Sequence, residues 1–191
     1  MTTVCEIAVD AIEIALSRGR RTRPALDELD SHFSELAATF VTLERGSRLL
    51  GCVGSLEARR PLAFDVADHA LAAAFDDPRV PPVTNDDFAA MSVKVSVLSH
   101  ACPLPARTFE ELRDAIRPGA DGVIVEAGPR VRATFLPSVW PKVADAEEFL
   151  DALWMKAGLR PRTWPDSLRV ARYTTVEFTD PGPRDFRPSP V

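Results

Sequence analysis

The sequence predicts an α+β fold, a single two-lobed domain with mixed or antiparallel sheets and flanking helices. Three observations predict it. β-rich runs stand at hairpin spacing, amphipathic helical stripes lie between them, and the order strand, strand, helix, strand occurs twice, over 38–99 and again over 122–178. A duplicated ββαβ unit is what that repetition implies. Its equivalent strand-to-helix connections, 54–60 and 136–141, would then meet over one cleft by two-fold-like packing.

The first element is a helix over 4–18. Val4, Ile7, Ala8, Ala11, Ile12 and Ala15 recur at helical spacing, and Gly19 stops it. The arginine-rich stretch 18–23 runs into Pro24 and reads as a solvated loop. ATFVTLE and LLGCVGSL, separated by Arg45-Gly46-Ser47, form a hairpin. Pro61 then opens a helix whose stripe is Leu62, Val66, His69, Ala70 and Ala73. The segment DDPRVPPVTNDD reads as loop throughout, because its prolines forbid regular structure. MSVKVSVLS is the clearest strand, with Val93, Val95 and Val97 on one face.

In the second half Thr108 and Glu111 have capping-box spacing ahead of a short helix that ends by Gly119. GVIVEA and RVRATFL make a second hairpin around Gly128-Pro129. Asp145 and Glu148 start a further helix with Phe149, Leu150, Leu153 and Ala157 inward, stopped by Gly158. SLRVARYTTVEF is one final strand. The domain thus spans 1–178, and the proline-rich remainder, 179–191, reads as a disordered tail.

Composition narrows the function. The chain has 191 residues, enough for a sizeable core, and a net charge of −5 leaves no basic excess for nucleic acid. No apolar run approaches the roughly 18 residues of a spanning helix, and the N-terminus carries acids where a signal peptide is basic and then apolar. A cytoplasmic protein without membrane contact is expected. Cys5, Cys52 and Cys102 are odd in number and irregularly spaced, so they are read as free thiols. Phosphate-loop, dinucleotide and hydrolase-elbow motifs are missing, and His100 with Cys102 falls short of a zinc signature. Neither a metal nor a cofactor is expected.

The candidate site centres on LLGCVG at 49–54. Cys52 between Gly51 and Gly54 is either a nucleophilic or redox thiol on a glycine-flanked turn, or a small hydrophobe packed in a strand. Catalysis would need a base beside it, and none is apparent in the sequence. The loop around Asp77 and Arg79 is stiffened by prolines; it holds either a ligand site or an ion pair tying the loop down. Thr134 and Arg172 are further ligand-binding candidates. His69, on an apolar stripe, is read as a partly buried structural histidine, and His32 and His100 as exposed.

TFVTL, LLGCVGSLE, RPL, AAAFDDPRVPPVT, VKVSVLS, DGVIVE, ATFLPSVW, FLDALWMKAGL and RVARYTTVEF occur in an order that resembles the AMMECR family over nearly the whole chain. The resemblance implies a two-lobed α+β domain belonging to the AmmeMemoRadiSam system, encoded near or fused to a Memo-like protein and a radical-SAM enzyme, with no established activity. The family hexapeptide usually has arginine where Leu50 stands, so an anion contact there would need another cation, with Arg79, Arg132 and Arg172 as candidates. Two functions follow as expectations: a module binding a small molecule or these partners, and, alternatively, a small acyl-transfer or redox enzyme using Cys52 as nucleophile.

Overall fold

A computed structural model describes residues 2–129 and 131–184. The chain divides into two compact units. The first is built from residues up to Leu98 together with those from Val176 onward, and the second is Ser99–Thr175.

In the first unit, α1 (Val4–Arg18) begins at Thr3, whose hydroxyl accepts the Glu6 N–H while the Glu6 carboxylate accepts the Thr3 N–H at 2.7 Å. It ends at Gly19, where a φ of 62° closes the last turn onto the Ala15 carbonyl. Strand β1 (Leu36–Arg45) turns through Gly46 into β2 (Arg48–Gly54), and a short bridge β3 (Arg60–Pro61) returns to β1. Helix α2 (Leu62–Phe75) follows. The 76–87 segment departs from the expected loop, because Thr84 and Asp87 form a capping box that starts a one-and-a-half-turn helix, α3 (Asn85–Ala90). Strand β4 (Ser92–Leu98) then pairs antiparallel with β1. Val93 and Val95 are fully buried, and with Val41 and Leu43 of β1 they meet Ile12 of α1 and Val66 and Ala70 of α2 in one core.

The second unit starts with β5 (Cys102–Pro103) and α4 (Phe109–Ala115), capped by the Thr108 hydroxyl. The capping box expected here is only half formed, since Glu111 accepts the Arg107 N–H. Strands β6 (Gly122–Ala127) and β7 (Arg132–Phe135) form the hairpin, a 3-10 turn covers Pro137–Lys142, and α5 (Ala146–Lys156) starts where Asp145 accepts both the Glu147 and Glu148 N–H at 2.9 Å. Strand β8 (Leu168–Tyr173) lies between β6 and β5. The core of this unit is aromatic: Phe149 stacks on Trp140 at 4.0 Å and meets Phe135 edge-on at 5.4 Å.

Three strands lie side by side in the order β2-β1-β4 within one sheet and β7-β6-β8 within the other, where β5 adds outside β8. Each unit therefore places its third strand beside its first, on the side away from the hairpin partner, which is the duplicated ββαβ connectivity. Two expectations need correction. The final strand is interrupted at Thr174, and β9 (Thr175–Asp180) pairs with β4 of the first sheet instead of extending β8. The second repeat consequently closes at Tyr173, not at 178. The supposed tail from 179 is also ordered further than composition suggested. Residues 179 and 180 belong to β9, and Arg184 donates to the Met91 carbonyl at 2.5 Å while its backbone N–H reaches Ala89. Residues 185–191 lie outside those described.

Candidate functional site

Cys52 sits inside β2, an edge strand of the first sheet, and not on a turn. The register pairs it with Thr42, whose hydroxyl donates to the thiol sulfur at 3.3 Å. A bulge between Leu43 and Glu44 leaves Leu50 as the extra residue of β2, and its side chain is buried in the core, 4% exposed. The flanking glycines serve packing. A Cβ on Gly51 would collide with the Ala73 carbonyl of α2, and one on Gly54 with the Phe40 ring and the Thr39 carbonyl. The helix and the sheet approach too closely there for any side chain.

The outward peptide of Cys52 is where the 76–82 loop is anchored. The Cys52 N–H donates to Asp77 Oδ2 at 2.9 Å, and Arg79 Nη2 donates to the Cys52 carbonyl at 2.7 Å. Arg79 also grips Asp77 with two parallel bonds, Nε to Oδ1 at 2.9 Å and Nη2 to Oδ2 at 2.7 Å. A carboxylate accepting the N–H and a guanidinium donating to the C=O of one residue reproduce what a neighbouring antiparallel strand would supply. The pair therefore covers the edge of β2. Hydrogen bonds from the Arg79 guanidinium hold the Asp77 carboxyl well below the usual carboxylate range; burial pulls upward, and the Cys52 and Arg79 N–H groups add to the lowering. Asp77 in turn raises the Arg79 pKa, and the nearby Cys52 sulfur adds a smaller contribution of the same sign. The guanidinium lies against the Cys52 carbonyl while its side chain stays 60% exposed.

A second polar cluster in this unit had only His69 as its forerunner in the sequence. Asp65, 1% exposed, accepts the Thr39 N–H at 2.9 Å, the Thr39 hydroxyl at 2.8 Å and the Arg60 Nη2 at 2.9 Å. His69 Nδ1 lies 3.2 Å from the same carboxylate, and its Nε2 lies 3.4 Å from Arg60 Nη2. Because a guanidinium only donates, Nε2 is the nitrogen that would accept from Arg60, and Nδ1 is the one that faces the Asp65 carboxylate. Burial by itself would raise the Asp65 pKa, but His69, Thr39 and Arg60 outweigh it and hold the carboxyl charged. The Asp65-to-His69 spacing of one helical turn was the available signal; the long reach to Thr39 was not.

The remaining candidates belong to the second unit. The Thr134 hydroxyl bonds the Val123 carbonyl at 2.9 Å and the Tyr173 hydroxyl at 2.8 Å. Burial pushes the Tyr173 pKa up to about 12, with Thr134 opposing it. Arg172 donates to the Ala115 carbonyl at the end of α4 and stands 3.6 Å from Asp121. Gly51, Cys52, Gly54, Asp77 and Arg79 are thus brought together around one strand edge, whereas Thr134 and Arg172 have separate partners in the second unit. Of the three arginines considered as replacements for the family arginine, Arg79 is neutralised by Asp77 and Arg132 by Glu126 at 2.7 Å.

Cys5 is buried, and Cys102 is exposed. Among the described residues no three His, Cys, Asp or Glu side chains converge as metal ligands, and no helix is long and apolar enough to cross a membrane. A cleft of about 290 Å³ lies between α1 and the 22–29 segment, with Ile7, Ala11, Ile14 and Leu29 as its apolar lining; it shares no residue with the Cys52 edge.

The profile of the AMMECR1 family matches residues 5–178. A protein of Methanothermobacter thermautotrophicus is 39% identical over 182 residues, covering 94% of both chains. A protein of Thermofilum pendens is 36% identical, covering 93% of this chain and 88% of its own length. The crystal structure of the uncharacterized protein PH0010 from Pyrococcus horikoshii superimposes with a TM-score of 0.85 at 33% identity, over 94% of this chain and 91% of that one.

Proposed function

The chain belongs to the AMMECR1 family, and from that premise we propose that it is a binding module of the AmmeMemoRadiSam system, acting in the cytoplasm beside a Memo-like protein and a radical-SAM enzyme. One observation carries this reading: the Asp77–Arg79 clamp on the Cys52 peptide. It fixes a half-exposed guanidinium next to the strand edge at low entropic cost, a rigid recognition feature. The hydrogen-bond partner of the thiol is the Thr42 hydroxyl, which is no base near neutral pH. Nucleophilic attack by cysteine needs a base or a lowered thiol pKa, so a binding role fits these contacts better.

The alternative, an acyl-transfer or redox enzyme with Cys52 as nucleophile, draws support from the partial exposure of the Cys52 thiol, where Cys5 is buried. Two variants separate the readings in a binding assay with the purified Memo-like and radical-SAM proteins. The binding role predicts that Cys52→Ser associates as the wild type does and that Arg79→Gln weakens association by about tenfold, the size of one charge-assisted contact. Loss of pathway activity in Cys52→Ser with association intact would favour the enzyme. Failure of the wild type to associate with either protein would end the binding-module reading.

A further inference from the structure

In the second unit, the turn between α4 and β6 gathers more positive charge than its single carboxylate balances. Asp121 is fully buried, and Arg117 holds it with Nη2 on Oδ1 at 2.6 Å and Nε on Oδ1 at 3.1 Å; the Arg117 N–H adds a bond to Oδ2 at 2.9 Å. Those contacts satisfy the carboxylate. Arg172, projecting from β8, reaches the same Oδ2 only at 3.6 Å, too far for a hydrogen bond, and spends one on the Ala115 carbonyl at 3.3 Å.

Two guanidinium groups therefore flank one carboxylate, leaving about one unit of positive charge. Among the described residues, Asp121 is the charged neighbour that shifts Arg117. The side chains are open to solvent, Arg117 at 58% and Arg172 at 35% exposure. Among the described residues, Arg117 Nη1 and Arg172 Nε and Nη2 have no acceptor. Free N–H donors on two forks, held by a buried carboxylate and a helix-terminal carbonyl, have the chemistry that recognises a planar or tetrahedral oxyanion. The contrast with Arg79 and Arg132 is the charge balance: Arg79 pairs with Asp77 and Arg132 with Glu126.

We propose that Arg117 and Arg172 form a binding subsite for an oxyanion, a carboxylate or phosphate group, with Asp121 as the residue that positions them. The test is isothermal titration of the full chain at low salt with inorganic phosphate and, in a separate arm, with succinate, against sodium chloride of equal ionic strength. Saturable binding in either arm is expected; the arm that binds assigns the anion class. Arg172→Gln should weaken it by about tenfold or more, the loss of one charge-assisted hydrogen bond, while Arg132→Gln leaves it unchanged. Arg117→Gln combined with Asp121→Asn removes one guanidinium without orphaning a buried carboxylate, and it should weaken binding as well. Heats in both arms that match chloride, or affinity unchanged in Arg172→Gln or in the double variant, would overturn the proposal.

Discussion

With its side chain 2% exposed, Asp77 stays ionised because Arg79 and two backbone N–H groups are bonded to its oxygens. Its folded pKa lies below the ordinary carboxylate value of about 4, so its contribution is present above that pH and is lost as the pH falls through the folded value. Asp77→Asn keeps an acceptor for the Cys52 N–H but loses the charge, and a loss of about 1 kcal/mol at pH 7 is expected, given the exposed partner. The urea midpoints of wild type and variant at pH 7 and pH 3 check this, and the gap should narrow at pH 3. The sequence had offered an ion pair tying the loop down as one reading of Asp77 and Arg79. That they grip the peptide of Cys52, and so join two candidate sites into one, was not legible, because nothing local to 76–82 indicates which strand edge lies beside it. Gly51 is similar: the glycine was visible, but the Ala73 carbonyl that excludes a side chain there comes from a helix later in the chain.

At the scale of elements, long amphipathic segments were the legible ones. α1 runs over the expected 4–18, and β4 buries Val93 and Val95 while Val97, expected on the same face, is only partly buried. α3 escaped because six residues are too few for a helical period and the surrounding prolines argue for loop. Its signal was the Thr84-x-x-Asp87 cap, a shorter-armed version of the usual box. The Thr84 hydroxyl accepts the Asp87 N–H at 3.2 Å and donates to its carboxylate at 2.8 Å, while Asp87 also ties Arg45 and Arg48 at the β1–β2 turn. Thr84→Ala should cost about 1 kcal/mol and lower the thermal midpoint by about 2–4 °C. Calorimetry of the variant decides whether the cap or the arginine ties hold this corner, since an unchanged midpoint would assign it to the arginines.

Over the whole molecule, the second unit is an insertion between β4 and β9, the chain returning to the first sheet after Thr174. A chain ending at Thr174 keeps every strand of the second sheet but loses the edge strand of the first and the Arg184 bonds to Phe88 and Met91. Hydrogen exchange should therefore show protection lost in β4 of the truncated chain and retained in β6 and β8; equal loss in both sheets would mean that the units do not keep separate stability. Charge follows the same division. The first unit carries 12 Lys and Arg against 18 Asp and Glu, and the second 11 against 10, so the whole acidic excess of −5 arises in the first.

What the sequence by itself determined was the kind and order of most elements, α3 and the break between β8 and β9 excepted, with the α+β class and the repeated ββαβ connectivity, because hydrophobic periodicity, helix caps and turn residues act over a few positions. The tertiary structure alone decided that β9 pairs with β4, that the loop at Asp77 closes onto Cys52, and that Arg117 shares a carboxylate with Arg172. Those are contacts between residues distant in the chain. Their free energy comes from geometry that forms only when the core has packed, so no local pattern carries them.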